Sequence, residues 1–449
     1  MNTKKLNRRQ FLTAASAGTV AAVTSNIIPA SGATGKKTGK LAINGGTPVR
    51  TKSWQRWPVW DKNTDEQRLL SVMRSGVWSR SKVVSEFEKK YAQIMGAKRC
   101  LATTNGTHAL ITSLKMLGIG WTDEVIVGPY TFIATFDAIM LNGALPIFVD
   151  TDRETFQINP DKIEEKITKN TKAILPVHIL GLPANMDKIN AIAKKHNLKV
   201  VEDACQAHLA EWKHKKAGNL GDLGCFSFQN SKNLPCGEGG AIIGNDDELM
   251  DRCYSFHNLG RPYGESMLTL SGYVRLGTKC RMAEYQAAIL LAQMKRFEAE
   301  AEIRTKNADY LTSRIKDIPC INAVKLYDGV TRAVYHMYPF RYNKKACNNI
   351  PREKFMSVLK AEGIPCSGGY GPVNKDKWFE DTLDSQNFQK VYSKAQLDRC
   401  RQANHCPDND KLCEETVWFF HSLLLGNKSD IDNIADAIEK IYHNKNELA

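Results

Sequence analysis

The chain of 449 residues is long enough for a large domain and a smaller one, so burying a substantial core poses no difficulty. Hydrophobic residues at 42% and charged residues at 24% are ordinary for a globular protein and exclude disordered or collagen-like classes. The formal net charge of +14 raises the question of acidic partners, but Lys194-Lys195 and Lys213-His214-Lys215-Lys216 are short and lack interleaved aromatics, so they read as solvated faces rather than a nucleic-acid groove.

Residues 1–33 follow a secretory plan: a basic start, a weakly apolar run from Phe11 to Ile28, then small residues at Ala30-Ser31-Gly32-Ala33 with cleavage near Ala33. Asn7-Arg8-Arg9-Gln10-Phe11-Leu12 resembles a twin-arginine export signal, which predicts a periplasmic protein; an ordinary secretory signal or an uncleaved anchor are the alternatives. Loss of Lys4, Lys5, Arg8 and Arg9 would leave a net charge of +10. Thr13, Ser16, Thr19, Thr24 and Ser25 make this run a poor permanent span, and no second apolar stretch of membrane length follows, so stable membrane insertion is not expected. Residues 34–60 read as an N-terminal arm.

From residue 99, short apolar runs rich in β-branched residues alternate with helical patterns. The predicted strands are 99–104, 124–128, 145–150, 172–180, 199–204, 223–229 and 240–245. Helices predicted over 107–117, 132–141 and 186–196 lie between them. The pattern predicts an α/β large domain over 61–295, with a mainly parallel seven-stranded sheet covered by helices on both faces. A long helical stretch from Met282 to about Ile315 looks like a connector, with Ala283, Ala287, Leu290, Leu291 and Met294 on one face. Residues 296–449, with a strand at 335–342 and a terminal helix at 431–442, read as a smaller α+β domain. The twelve cysteines include no Cys-x-x-Cys, and Cys400, Cys406 and Cys413 read as small buried hydrophobes or one local bridge, so no metal site is expected.

Chemistry is sought at the strand ends, where open α/β sheets bind ligands. Thr104-Asn105-Gly106-Thr107 turns a strand into a helix, whose free N–H groups and dipole favour an anion such as phosphate, although such a turn also serves as an ordinary cap. Val200–Asp203 delivers an acid at its end. Cys225–Ser227 is followed by Lys232, ahead of Gly237-Glu238-Gly239-Gly240, an environment where partial desolvation would supply a neutral amine able to attack an aldehyde. Phosphate cradle, amine and acid together imply pyridoxal phosphate, which needs an acid to hold its ring nitrogen protonated.

Six stretches in order then carry a resemblance: Asn105–Leu110, Pro129–Thr135, Glu202–Ala207, Ser227–Lys232, Gly237–Gly240 and Arg281–Ala288. They resemble the DegT/DnrJ/EryC1/StrS sugar aminotransferases over nearly everything from Leu41 onward. The resemblance implies the aspartate-aminotransferase-like fold (pyridoxal-phosphate fold type I). It implies that Lys232 bonds the cofactor and shuttles a proton, and that Asp203 pairs with the ring nitrogen. By the same resemblance Gln206 bonds the phenolic oxygen, Phe132 stacks on the ring, and Gly106, Thr107 and Ser227 hold the phosphate. The family's usual Asn, which reaches the cofactor phosphate of the neighbouring subunit in a homodimer, is replaced here by Lys279, which can meet phosphate only as a point charge.

Leu41–Arg50, Trp57-Pro58, Cys406-Pro407 and Val417-Trp418 resemble members that aminate keto-inositols or make aminohydroxybenzoate. The expected reaction is transfer of an amino group from glutamate or glutamine to a keto-sugar or keto-cyclitol. The alternatives are a pyridoxal-phosphate-dependent sugar dehydratase, whose relatives replace the lysine by histidine, and a non-catalytic exported sugar-binding or regulatory protein on the same fold.

Overall fold

Seven runs of aliphatic and β-branched residues form one sheet in the computed structural model, which describes residues 39–264, 267 and 269–448. The expected signal segment and the first residues of the arm lie outside the described residues. The strands are β1 (Arg99–Thr103), β2 (Glu124–Val127), β3 (Leu145–Phe148), β4 (Thr171–Leu175), β5 (Lys199–Asp203), β6 (Leu223–Ser227) and β7 (Gly240–Gly244). Their order is β1-β7-β6-β5-β4-β2-β3. Pairing is parallel from β6 through β5, β4 and β2 to β3, and only β7 runs against both its neighbours. Val125, Ile126, Val127, Ile147, Ile174, Val201 and Ile242 are fully buried, as expected where helices cover both faces and strands carry continuous rather than alternating hydrophobicity.

The crossover helices begin where capping predicts them. Gly106–Met116 starts after Asn105, whose side chain accepts from His108 N, and Met186–His196 after Asn185, whose side chain accepts from Lys188 N. Ala134–Leu141 lies between β2 and β3.

Two expectations are corrected. The strand predicted over 172–180 ends at Leu175, because Pro176 has no N–H to continue the ladder and residues 179–181 form a tight 3-10 turn. The long helical stretch is two helices, Glu284–Gln293 and Phe297–Ile315. They part where Arg296 turns its guanidinium to Val59 O (2.5 Å), Gln293 Oε1 (2.6 Å) and the Asp65 carboxylate (3.1 Å).

A second, antiparallel sheet joins Ile321–Ala323, Met337–Tyr342, Thr416–Phe420 and Ser367–Gly368 in that spatial order. The N-terminal arm is tied down by a buried ion pair: Glu362, fully buried, accepts from Ala42 N (2.8 Å), Val49 N (3.0 Å) and Lys440 Nζ (2.9 Å), and Lys440 also donates to Thr47 O (2.8 Å). Lys440→Met strands the carboxylate without its cation. A stability loss of about 3–5 kcal/mol is expected in urea unfolding, since breaking a buried pair costs more than the pair itself contributes.

Candidate active site

The carboxyl-end edge of the sheet brings three strand ends into one row. Thr103 pairs with Gly240, and Gly240 with Ser227. Gly240 is required there, because a Cβ would stand 2.3 Å from the Asn105 carbonyl carbon and oxygen. The Asn105–Gly106 turn can therefore settle directly on β7. Gly106 is equally close-packed: its Cβ would fall 2.8 Å from Ser227 Cβ and 2.9 Å from Cys205 Sγ. At the start of a helix the N–H groups of Gly106 and Thr107 have no helical carbonyl within reach, and Asn105 caps only the third position, at His108. Among the described residues neither amide has a partner, and the Gly106 turn packs directly on Ser227.

One strand over, Asp203 is 4% exposed. Its Oδ2 accepts from Thr135 Oγ1 (2.8 Å) and its Oδ1 from Cys205 N (3.2 Å), so the carboxylate is held from both sides. Thr135 N bonds Phe132 O (3.1 Å), which sets Phe132 one turn away with a ring 55% exposed, free to lie against a ligand. Gln206 accepts from Leu180 N at Oε1 (2.8 Å) and donates from Nε2 to the Tyr370 hydroxyl (2.9 Å). The amide's orientation is thereby fixed, and its second N–H remains available.

Lys232 lies past the end of β6, its N–H bonded to Gln229 O (2.8 Å). Burial lowers its pKa below the ordinary lysine range, opposed in part by the negative charge of the Asp203 carboxylate. The residue itself is half-buried, and its partial removal from water gives the amine some neutral character. His208 supports the floor: its Nε2 donates to Ser227 O (2.8 Å), its Nδ1 accepts from Tyr91 (2.8 Å), and burial pushes its pKa down to about 3.

Seven of the predicted residues thus gather at one sheet edge: Gly106, Thr107, Phe132, Asp203, Gln206, Ser227 and Lys232. Lys279 is exposed and bridges Asn258; its neighbour Cys280 accepts from Thr104 N (2.9 Å), so its segment borders the same turn. Sequence reasoning missed Thr135 and Tyr370. Thr135 stood in a quoted motif without a role, whereas Tyr370 has no local signal.

The sequence profile of the DegT/DnrJ/EryC1/StrS aminotransferase family matches residues 60–438. The chain belongs to this family. Among its relatives, the L-glutamine:2-deoxy-scyllo-inosose aminotransferase of Streptoalloteichus tenebrarius is 32% identical over 423 residues, covering 91% of this chain and 99% of the relative. The enzyme of the same name from Streptomyces kanamyceticus is 31% identical over 427 residues, with 91% and 98% covered. The crystal structure of 3-amino-5-hydroxybenzoic acid synthase superposes with a TM-score of 0.74 at 27% identity, covering 87% of this chain and 98% of that one. An aminotransferase from Psychrobacter cryohalolentis gives 0.74 at 28% identity, with 88% and 100% covered.

Family members depend on pyridoxal phosphate, and the site fits that group on its own geometry. Two unpaired amides and a hydroxyl meet the phosphate's need for donors at a helix start, a clamped carboxylate suits a protonated ring nitrogen, and a partly desolvated amine suits an aldehyde.

Proposed function

We propose that the protein transfers the amino group of L-glutamine to a keto-cyclitol in two half-reactions, with Lys232 as the residue that carries the cofactor. The observation that carries this reading is geometric: one sheet edge brings together the Gly106 helix start packed on Ser227, the Asp203 carboxylate held by Thr135 Oγ1 and Cys205 N, and the turn that carries Lys232. The substrate class is supported by relatives at 31–32% identity named for L-glutamine and 2-deoxy-scyllo-inosose. Bound pyridoxal phosphate supplies an electron sink for the bond-breaking at the amino-bearing carbon. Asp203 keeps the ring nitrogen protonated, Gln206 holds the phenolic oxygen with its free N–H, and Phe132 covers the ring. Gly106, Thr107 and Ser227 fix the phosphate. The Lys232 amine would take the proton from the donor's α-carbon and deliver it to the cofactor's C4′, and would carry a proton the other way, from C4′ to the acceptor's carbon, in the second half-reaction.

Lys279 is assigned to the neighbouring subunit's cofactor phosphate. Leu270, Tyr273 and Leu276, at 50%, 67% and 82% exposure on the preceding segment, support a homodimer built through this face. The twin-arginine-like start supports export to the periplasm, a route that carries folded chains and so permits cofactor loading beforehand.

The test is spectroscopic. Purified protein loaded with pyridoxal phosphate is expected to lose its visible absorption on addition of L-glutamine and regain it with a keto-inositol, giving ping-pong kinetics. A band that no amino donor changes overturns the reading.

A further inference from the structure

Three successive residues of the turn that carries the amine are each fastened to chain segments outside the seven-stranded sheet. The Ser231 carbonyl accepts from His421 Nε2 at 3.0 Å, and the Lys232 carbonyl from Trp57 Nε1 at 3.2 Å. Asn233 donates through Nδ2 to Val334 O (3.2 Å), and its Oδ1 faces His336 Nδ1 at 3.2 Å.

These partners assign the tautomers. A carbonyl cannot donate, so the His421 proton is on Nε2. Asn233, with its amide nitrogen committed to Val334, offers only an acceptor, which puts the His336 proton on Nδ1. Burial holds both imidazoles well below the ordinary histidine range, so both stay neutral and the pattern persists through neutral pH.

The fastening residues also touch one another. Trp57 meets His421 edge to face at 4.6 Å, and His421 lies 5.7 Å from His336. The Arg304 guanidinium, fully buried, stands 5.2 Å from the centre of the Trp57 ring, a distance at which a desolvated cation attracts an indole face. Arm, helix 297–315 and the segment after strand 416–420 thus form one continuous wall against the turn.

We propose that Trp57 and His421 are positioning residues: by holding the carbonyls of residues 231 and 232 they fix the turn that presents the half-buried Lys232, so the N-terminal arm sets the reactivity of a lysine 175 positions away. The inference rests on the reading of Lys232 as the cofactor lysine. Removing the indole N–H leaves the Lys232 carbonyl in need of water. A loosened turn is expected to expose the half-buried amine further, which favours its charged form.

Trp57→Phe keeps the ring and removes only the donor. Competitive acylation of the full-length protein without cofactor, across a pH series and with each lysine peptide read by mass spectrometry, titrates the amine independently of activity. Lys232 is expected to shift toward the ordinary lysine range by about one pH unit, a tenfold change in neutral amine at fixed pH. His421→Phe is expected to shift it in the same direction, with His421→Gln, which retains an N–H donor, closer to the parent. Buried Lys440 in the same digest reports general loosening. A Lys232 titration unchanged in both Trp57→Phe and His421→Phe, or one that moves together with Lys440, overturns the proposal. Lys232→Ala separates the two readings: if that variant still binds the cofactor covalently while Trp57→Phe shifts the Lys232 titration, the positioning role stands and the cofactor assignment falls.

Discussion

Lys232→Ala is expected to fold normally and to lose transamination by at least about 10³-fold, equivalent to roughly 4 kcal/mol of barrier. The reason is chemical rather than structural. On the proposed reading the side chain has to bond an aldehyde and then move a proton, and both need a lone pair on nitrogen. Burial lowers the pKa of this amine, so a useful neutral fraction exists at pH values where an exposed lysine is almost wholly charged. The sign follows directly: activity should rise with pH as the amine deprotonates, and the rising limb should lie below the ordinary lysine range. Lys232→Arg is the informative control, because it keeps length and charge but cannot deprotonate, and it should be as inactive as the alanine variant. Single-turnover absorbance with L-glutamine measures both. Substantial amino transfer by either variant would exclude Lys232 from the chemistry.

The main sheet was legible because its strands are buried on both faces, so the hydrophobic signal is continuous and strand existence can be read locally. What failed was the place where a segment stops or bends. The 282–315 stretch reads as one long helical segment with an apolar face named over 283–294, yet it parts where Arg296 binds Val59 and Asp65, more than 230 positions earlier in the chain. The site divides along the same line. Lys232, Asp203 and Gly106 stand at strand ends and turns, so the sequence around each announces its place. Tyr370 reaches Gln206 across 164 positions, and His421 reaches Ser231 across 190, with no periodicity or spacing to mark either. Chemistry that depends on a strand end can be read from one dimension. The side chains that aim it arrive from the second sheet and the arm, and only the fold brings them together.

Asp203→Asn separates charge from shape at the second decisive group. The amide is nearly isosteric and can still accept from Thr135 Oγ1 through its oxygen, so the fold and cofactor binding should largely persist. On the proposed reading, what disappears is the negative charge that would keep a pyridine nitrogen protonated, and with it most of the electron withdrawal that would stabilise charge on the reacting carbon. The fall in kcat should be about 10³-fold, with KM for L-glutamine changed by only a few fold, since the proposed function assigns this carboxylate to the ring nitrogen and not to the donor. Thr135→Val removes one of the two bonds that orient the acid and keeps the charge. It should cost on the order of ten- to a hundredfold, in line with roughly 1.5–3 kcal/mol for a hydrogen bond to a charged group. The ranking is the test: a Thr135 variant as damaged as the Asp203 variant would mean that orientation, rather than charge, is what residue 203 contributes.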